Sequence, residues 1–163
     1  MRFIVHEGPV GRSASNYIAR VDLAPFGMEG QIEQLWLKPA NDDGSYDVAC
    51  IPFFTYGLAL GDTVLLADDD CVSEVLRTGG HRNLRLLFIP DLPTADLQQA
   101  ADRVKAEILA SGLLSEWSGE RFVAVDIPKG IEAAGLIAVM EDLENKGQAF
   151  WEWSASQPFS ARS

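Results

Sequence analysis

The chain has 163 residues, 47% of them hydrophobic and 23% charged, which suits a packed globular core and excludes global disorder. Thirteen Lys and Arg against 24 Asp and Glu leave a formal net charge of −11. Such a surface is repelled by nucleic acid and by anionic membrane, and is compatible with a basic protein partner or with solubility alone. The apolar run before His6 and Glu7 is too short for a signal-peptide core. No stretch approaches the roughly 20 apolar residues of a membrane span, so a cytoplasmic protein is expected. Cys50 and Cys71 lack CxxC spacing and are expected to be buried thiols.

In chain order, Asn16–Leu23 alternates with a period of two, and Gln31–Pro39 does the same. In the second segment Ile32, Gln34, Trp36 and Lys38 fall on one side, with Glu33, Leu35 and Leu37 on the other. Asn41-Asp42-Asp43-Gly44 supplies hairpin-turn chemistry, after which Ser45–Phe53 is expected to return as the partner strand. Ile51–Val64, IPFFTYGLALGDTV, is almost wholly apolar up to Leu60, then breaks at Gly61-Asp62. Pro52 bends the chain, so one Phe is expected to fill a small barrel while the other packs on a second sheet. Two more strands flank the acidic turn Asp68-Asp69-Asp70.

The rhythm then changes. Asn83–Pro90 reads as a near-continuous apolar strand. A helix follows from Thr94, a candidate N-cap, to Gly112, with Leu97, Ala101, Val104 and Ile108 as its apolar stripe. A hairpin turns at Ser118-Gly119, a second helix spans Ile131–Gly147, and Gln148–Ser156 is a last strand. The order β-α-β-β-α-β predicts a ferredoxin-like sheet. The fold class expected is therefore α+β. A small N-terminal β-barrel-like unit (1–83) packs on a C-terminal ferredoxin-like antiparallel sheet with two helices (84–157), followed by a tail (158–163).

Chemistry is sparse. Neither His6 nor His81 has neighbours at metal-ligand spacing, and there is no nucleophile elbow, P-loop or dinucleotide fingerprint. No catalytic residue, metal or cofactor is assigned. Thr78–Arg85 is a weak candidate anion site through His81, Arg82 and Arg85, competing with a plain Gly-Gly turn. Asp62 could cap exposed amides where a strand restarts. Asp126, on an otherwise apolar strand, could point inward. Trp151 and Trp153 share one face of the last strand, with Phe150 and Glu152 on the other.

At Glu33, Leu35, Trp36, Ile51 to Phe54, Gly57, Gly61, Asp62, Val64, Thr78, Gly79, Leu84 and Arg85 the chain resembles a bacterial family of uncharacterised proteins, domain-of-unknown-function family 4265. The resemblance covers most of residues 31–155 and implies no activity. By analogy, small acidic proteins of this kind look like immunity proteins encoded beside toxins. The reading drawn from charge is a non-catalytic module that neutralises a basic partner, such as a toxin, by occlusion. Its candidate contacts are Asp42, Asp43, Asp68, Asp69, Asp70 and Glu74 on the strand-rich half, Glu141, Asp142 and Glu144 late in the second helix, and Trp151, Trp153 and Tyr46 as anchors. The alternatives are a small-molecule-sensing regulator and a small enzyme using the His81/Arg82/Arg85 turn.

Overall fold

A computed structural model describes residues 1–161, so positions 162 and 163 of the expected tail lie outside the described residues. The protein is mixed α+β, with two α-helices and two sheets among the described residues. The first sheet holds β1 (Arg2–Ile4), β2 (Tyr17–Asp22), β3 (Gln31–Pro39), β4 (Tyr46–Val48), β5 (Thr63–Leu66) and β6 (Val72–Arg77). β3 organises it. One edge pairs antiparallel with β2 from Tyr17↔Leu37 to Asp22↔Ile32. The other edge takes β1 in parallel at its start and β4 antiparallel at its end. The alternation in β3 holds: Glu33, Leu35 and Leu37 are fully buried.

Three expectations need correction. Among the described residues the strands do not close into a barrel; β2 and the approach to β6 touch through an isolated bridge, Arg20–Cys71, where the Arg20 N–H donates to the Asp70 carbonyl at 3.0 Å. The partner strand stops at Val48 rather than running to Phe53, because the chain there turns inward and its amides find side-chain acceptors. The opening residues, read only as too short for a signal sequence, form β1.

The second sheet has the order β10-β7-β9-β8, antiparallel throughout, from β7 (Arg82–Phe88), β8 (Leu114–Ser118), β9 (Phe122–Ile127) and β10 (Ala149–Trp153). Helices α1 (Thr94–Ala110) and α2 (Ala134–Asn145) connect them. The α1 stripe Leu97, Ala101, Val104 and Ile108 is buried as its spacing predicts, and packs with Leu84, Leu86, Phe88, Val123, Val125 and Ile127. Each fully buried aliphatic side chain of this kind contributes about 1.5–3 kcal/mol. Thr94 is not the N-cap: Pro93 is, with its carbonyl taking the Leu97 N–H at 2.8 Å, which makes Thr94 the first helical residue. α2 starts later than expected, since Pro128–Ile131 closes a turn of its own. On the helix-free side of this sheet, Phe122 and Ala124 join the six-stranded sheet's Leu35, Leu37, Val48 and Val64 in a second core.

Candidate functional site

Strand parity decides what fills the space between the sheets. In β7, Leu84 and Leu86 face the helices, so Asn83 and Arg85 face the other way; in β9, Val123 and Val125 likewise leave Asp126 on the helix-free face. Glu116 of β8 stands opposite Ala124. Asn83, Arg85, Glu116 and Asp126 are each no more than 4% exposed. The six-stranded side contributes Glu33 from β3 and His6 just beyond β1. The two sheets therefore meet across a seam of buried charge.

His6 lies between two carboxylates. Its Nε2 is 2.9 Å from Glu33 Oε1 and its Nδ1 2.8 Å from Glu116 Oε1, while the ring stacks on Phe53 at 4.0 Å and 7°. Burial pushes the imidazole down, but its two carboxylate partners outweigh it and raise the pKa to about 9. Burial works against the Glu33 carboxylate too, yet the His6 hydrogen bond and charge, with Arg85 beyond, hold it at about 2. At neutral pH His6 is therefore an imidazolium donating both N–H groups, and Glu33 is ionised.

The same carboxylates hold the IPFFT stretch. Glu33 accepts the N–H groups of Phe53 (2.5 Å), Phe54 (3.0 Å) and Thr55 (2.8 Å) and the Thr55 hydroxyl (2.7 Å). Glu116 accepts the Ile51 N–H at 2.5 Å. Pro52 has no N–H; its carbonyl accepts from Asn83 Nδ2 at 2.6 Å, and the Thr55 carbonyl accepts from Arg85 Nη2. A loop buried between sheets must place every backbone polar group somewhere, and here side chains replace the ladder. Both phenylalanines meet the second sheet: Phe53 is edge-on to Phe122 at 5.8 Å and Phe54 stacks on it at 4.7 Å, so neither fills a barrel alone.

A second cluster sits where Gly61-Asp62 meets the β6–β7 turn. Asp62 accepts the N–H groups of Ala59 (2.9 Å) and Gly79 (2.8 Å), the capping role expected of it. His81 Nδ1 approaches both Asp126 oxygens at 2.8 and 2.9 Å. Burial raises the pKa of both aspartates. Beside them opens a cleft of about 210 Å³. Among the described residues no group of three or more His, Cys, Asp or Glu side chains is placed to hold a metal ion.

The other sequence-derived candidates divide. Asp42 and Asp43 lie on the β3–β4 turn and Asp68, Asp69 and Asp70 on the β5–β6 turn, at the same end of the six-stranded sheet. Tyr17 and Tyr46 link the two turns: their rings are 5.0 Å apart, and the Tyr17 hydroxyl donates to Asp70 Oδ1 at 2.5 Å. Glu74 is exposed on β6. Glu141, Asp142 and Glu144 lie on α2, where Asp142 pairs with Arg103 and with Lys146. Trp151 and Trp153 are half-buried against the helix-side core, and Phe150 and Glu152 occupy the opposite face. His81, Arg82 and Arg85 do not converge. Arg82 stacks on Trp153 at 4.4 Å, while Arg85 is buried on the other face over Tyr56.

His6, Glu33 and Glu116 escaped sequence reading as a site. Glu33 did carry a signal, sharing parity with Leu35 and Leu37, and a carboxylate on a buried face needs a partner. Nothing local pointed to His6 or Glu116 as that partner, since the contacts span 27 and 110 residues.

Two helices on a four-stranded sheet, backed by a six-stranded one across a charged seam, define the class: an α+β protein in which, among the described residues, no helix is long and apolar enough to cross a membrane. The sequence profile of DUF4265, a domain of unknown function, matches residues 33–153, and the chain belongs to that family. No curated protein matches it. A crystal structure of a hypothetical protein from Neisseria gonorrhoeae is similar in fold, with a TM-score of 0.62 and 17% identity over 88% of this chain and 96% of that one.

Proposed function

We propose that this protein is a non-catalytic, acidic, cytoplasmic protein-binding module that neutralises a basic partner, such as a toxin, by occlusion. The observation that carries the reading is the meeting of the two acidic turns around the half-buried Tyr17–Tyr46 pair. Carboxylates around an aromatic centre steer a cationic surface to the encounter, and the desolvated aromatics then supply most of the affinity. The supporting architecture is read as a barrel-like unit on a ferredoxin-like unit. The β10-β7-β9-β8 order with its helical crossovers favours the latter, and the Arg20–Cys71 bridge, drawing β2 toward β6, the former.

The test is kinetic. With the partner purified, association is measured from low to high ionic strength for the wild type and for Asp42, Asp43, Asp68 and Asp70 changed together to Asn. The wild-type rate should fall by roughly tenfold or more and the variant should be slower and flatter. A wild-type rate indifferent to salt removes steering by this end. Tyr46→Ala should act mainly on dissociation, and an unchanged dissociation rate removes it as an anchor.

A further inference from the structure

The cleft beside His81 is lined by Asp62, Thr78, His81, Asn83, Ser154 and Gln157 among others, and sits at the opposite end of β5 from the acidic turns. Among its polar side chains Asp62 can only accept when ionised. Asp62, 3% exposed, has backbone N–H groups as its hydrogen-bond partners, and Asp126 behind His81 has the His81 Nδ1. Among the described residues no lysine or arginine forms an ion pair with either aspartate. Asn83 is 1% exposed; its Nδ2 is committed to the Pro52 carbonyl, and its Oδ1 is buried with no hydrogen-bond partner. With Nδ1 turned to Asp126, His81 keeps Nε2 for something else.

We propose that this cleft binds a compact cation carrying several N–H donors, a guanidinium or amidinium group. Asp62, a buried carboxylate of the lining that holds only backbone N–H groups, selects a cation, and the orphaned Asn83 amide oxygen beside it selects one that donates hydrogen bonds. A planar fork of N–H groups matches a carboxylate better than a point-like ammonium does. A volume of about 210 Å³ corresponds to roughly seven waters at about 30 Å³ each, enough for a guanidinium on a short stem and too small for a nucleotide. An anion is disfavoured because Arg82 and Arg85 both point away from the cleft's lining. The site does not depend on the acidic end, and either can fail without the other.

Such a group could belong to a free metabolite or to an arginine of a polypeptide, and the experiment separates them. Methylguanidinium is titrated into isotopically labelled protein, far below concentrations that unfold proteins, and the amide signals of Gly79 and His81 are followed. Saturable shifts are expected, weakened at least about tenfold in Asp62→Asn, as for loss of a charged hydrogen bond. N-acetyl-arginine methylamide distinguishes the sources: tighter binding than methylguanidinium assigns the cleft to a protein-borne side chain, and its exclusion assigns it to a free metabolite. Tetramethylammonium carries the same charge without donors and should produce no saturable shift. Absence of saturation with methylguanidinium, or equal shifts with tetramethylammonium, overturns the proposal. Both readings come from the wild type and hold even where Asp62→Asn fails to fold.

Discussion

Glu33 shows how one side chain can set the behaviour of its neighbourhood. It answers an imidazolium, three backbone amides and a hydroxyl, so Glu33→Gln removes a charge that several buried donors share. Breaking a buried pair in this way costs about 3–5 kcal/mol, and urea unfolding should report it; a loss under about 1 kcal/mol would show that the seam is dispensable. The pH dependence has two limbs. Glu33, depressed from 4.5 to about 2, contributes stability that is present above 4.5 and lost as pH falls through about 2. His6, raised from 6.5 to about 9, contributes stability that is full below 6.5 and lost as pH rises through about 9. The pair should give its largest contribution between pH 4.5 and 6.5, and His6→Gln should flatten the alkaline limb. An alkaline limb unchanged in that variant would assign the loss to another group.

Among elements, the IPFFT loop is the one whose sequence reads most misleadingly. Its apolar residues suggest a strand, yet Pro52 and the carboxylates beneath it hold a loop. Phe53 is 1% exposed, so Phe53→Ala should cost about 3–5 kcal/mol. Half-buried Phe54 should cost less, and equal losses would contradict this packing. Gly57 has φ +76°, and a Cβ there would stand 2.1 Å from the Phe159 backbone nitrogen. Gly57→Ala should therefore strain the turn and displace residues 158–159, which limited proteolysis would detect as faster cleavage of the C-terminal segment; unchanged cleavage would show that the segment tolerates the push. The β3 alternation, the α1 stripe and the Ser118-Gly119 hairpin were legible in the sequence because each rests on contacts a few residues apart or on a single period. β1 was not, because three residues pairing in parallel leave almost no local pattern. The seam was half legible: Glu33 and Asp126 sit among apolar residues at buried parity, but their partners come from distant segments.

For the whole molecule, the seam means that the two sheets share one interior. Trp36 reports on the six-stranded sheet, and Trp117, Trp151 and Trp153 on the other, so Trp36→Phe separates the two signals. Both sheets should unfold in one coincident transition. Two resolved transitions would mean that residues 84–157 hold together without the first sheet. The parallel placement of β1 bears on time rather than energy. His6 completes its pair of carboxylates only when Glu116, 110 residues further along, is in place. Closing so long a loop is entropically slow, as in other folds dominated by distant pairings. During synthesis the first strands must therefore wait, with their charged and apolar faces uncovered, until β8 and β9 have left the ribosome. The interval of greatest exposure therefore falls during synthesis rather than after it.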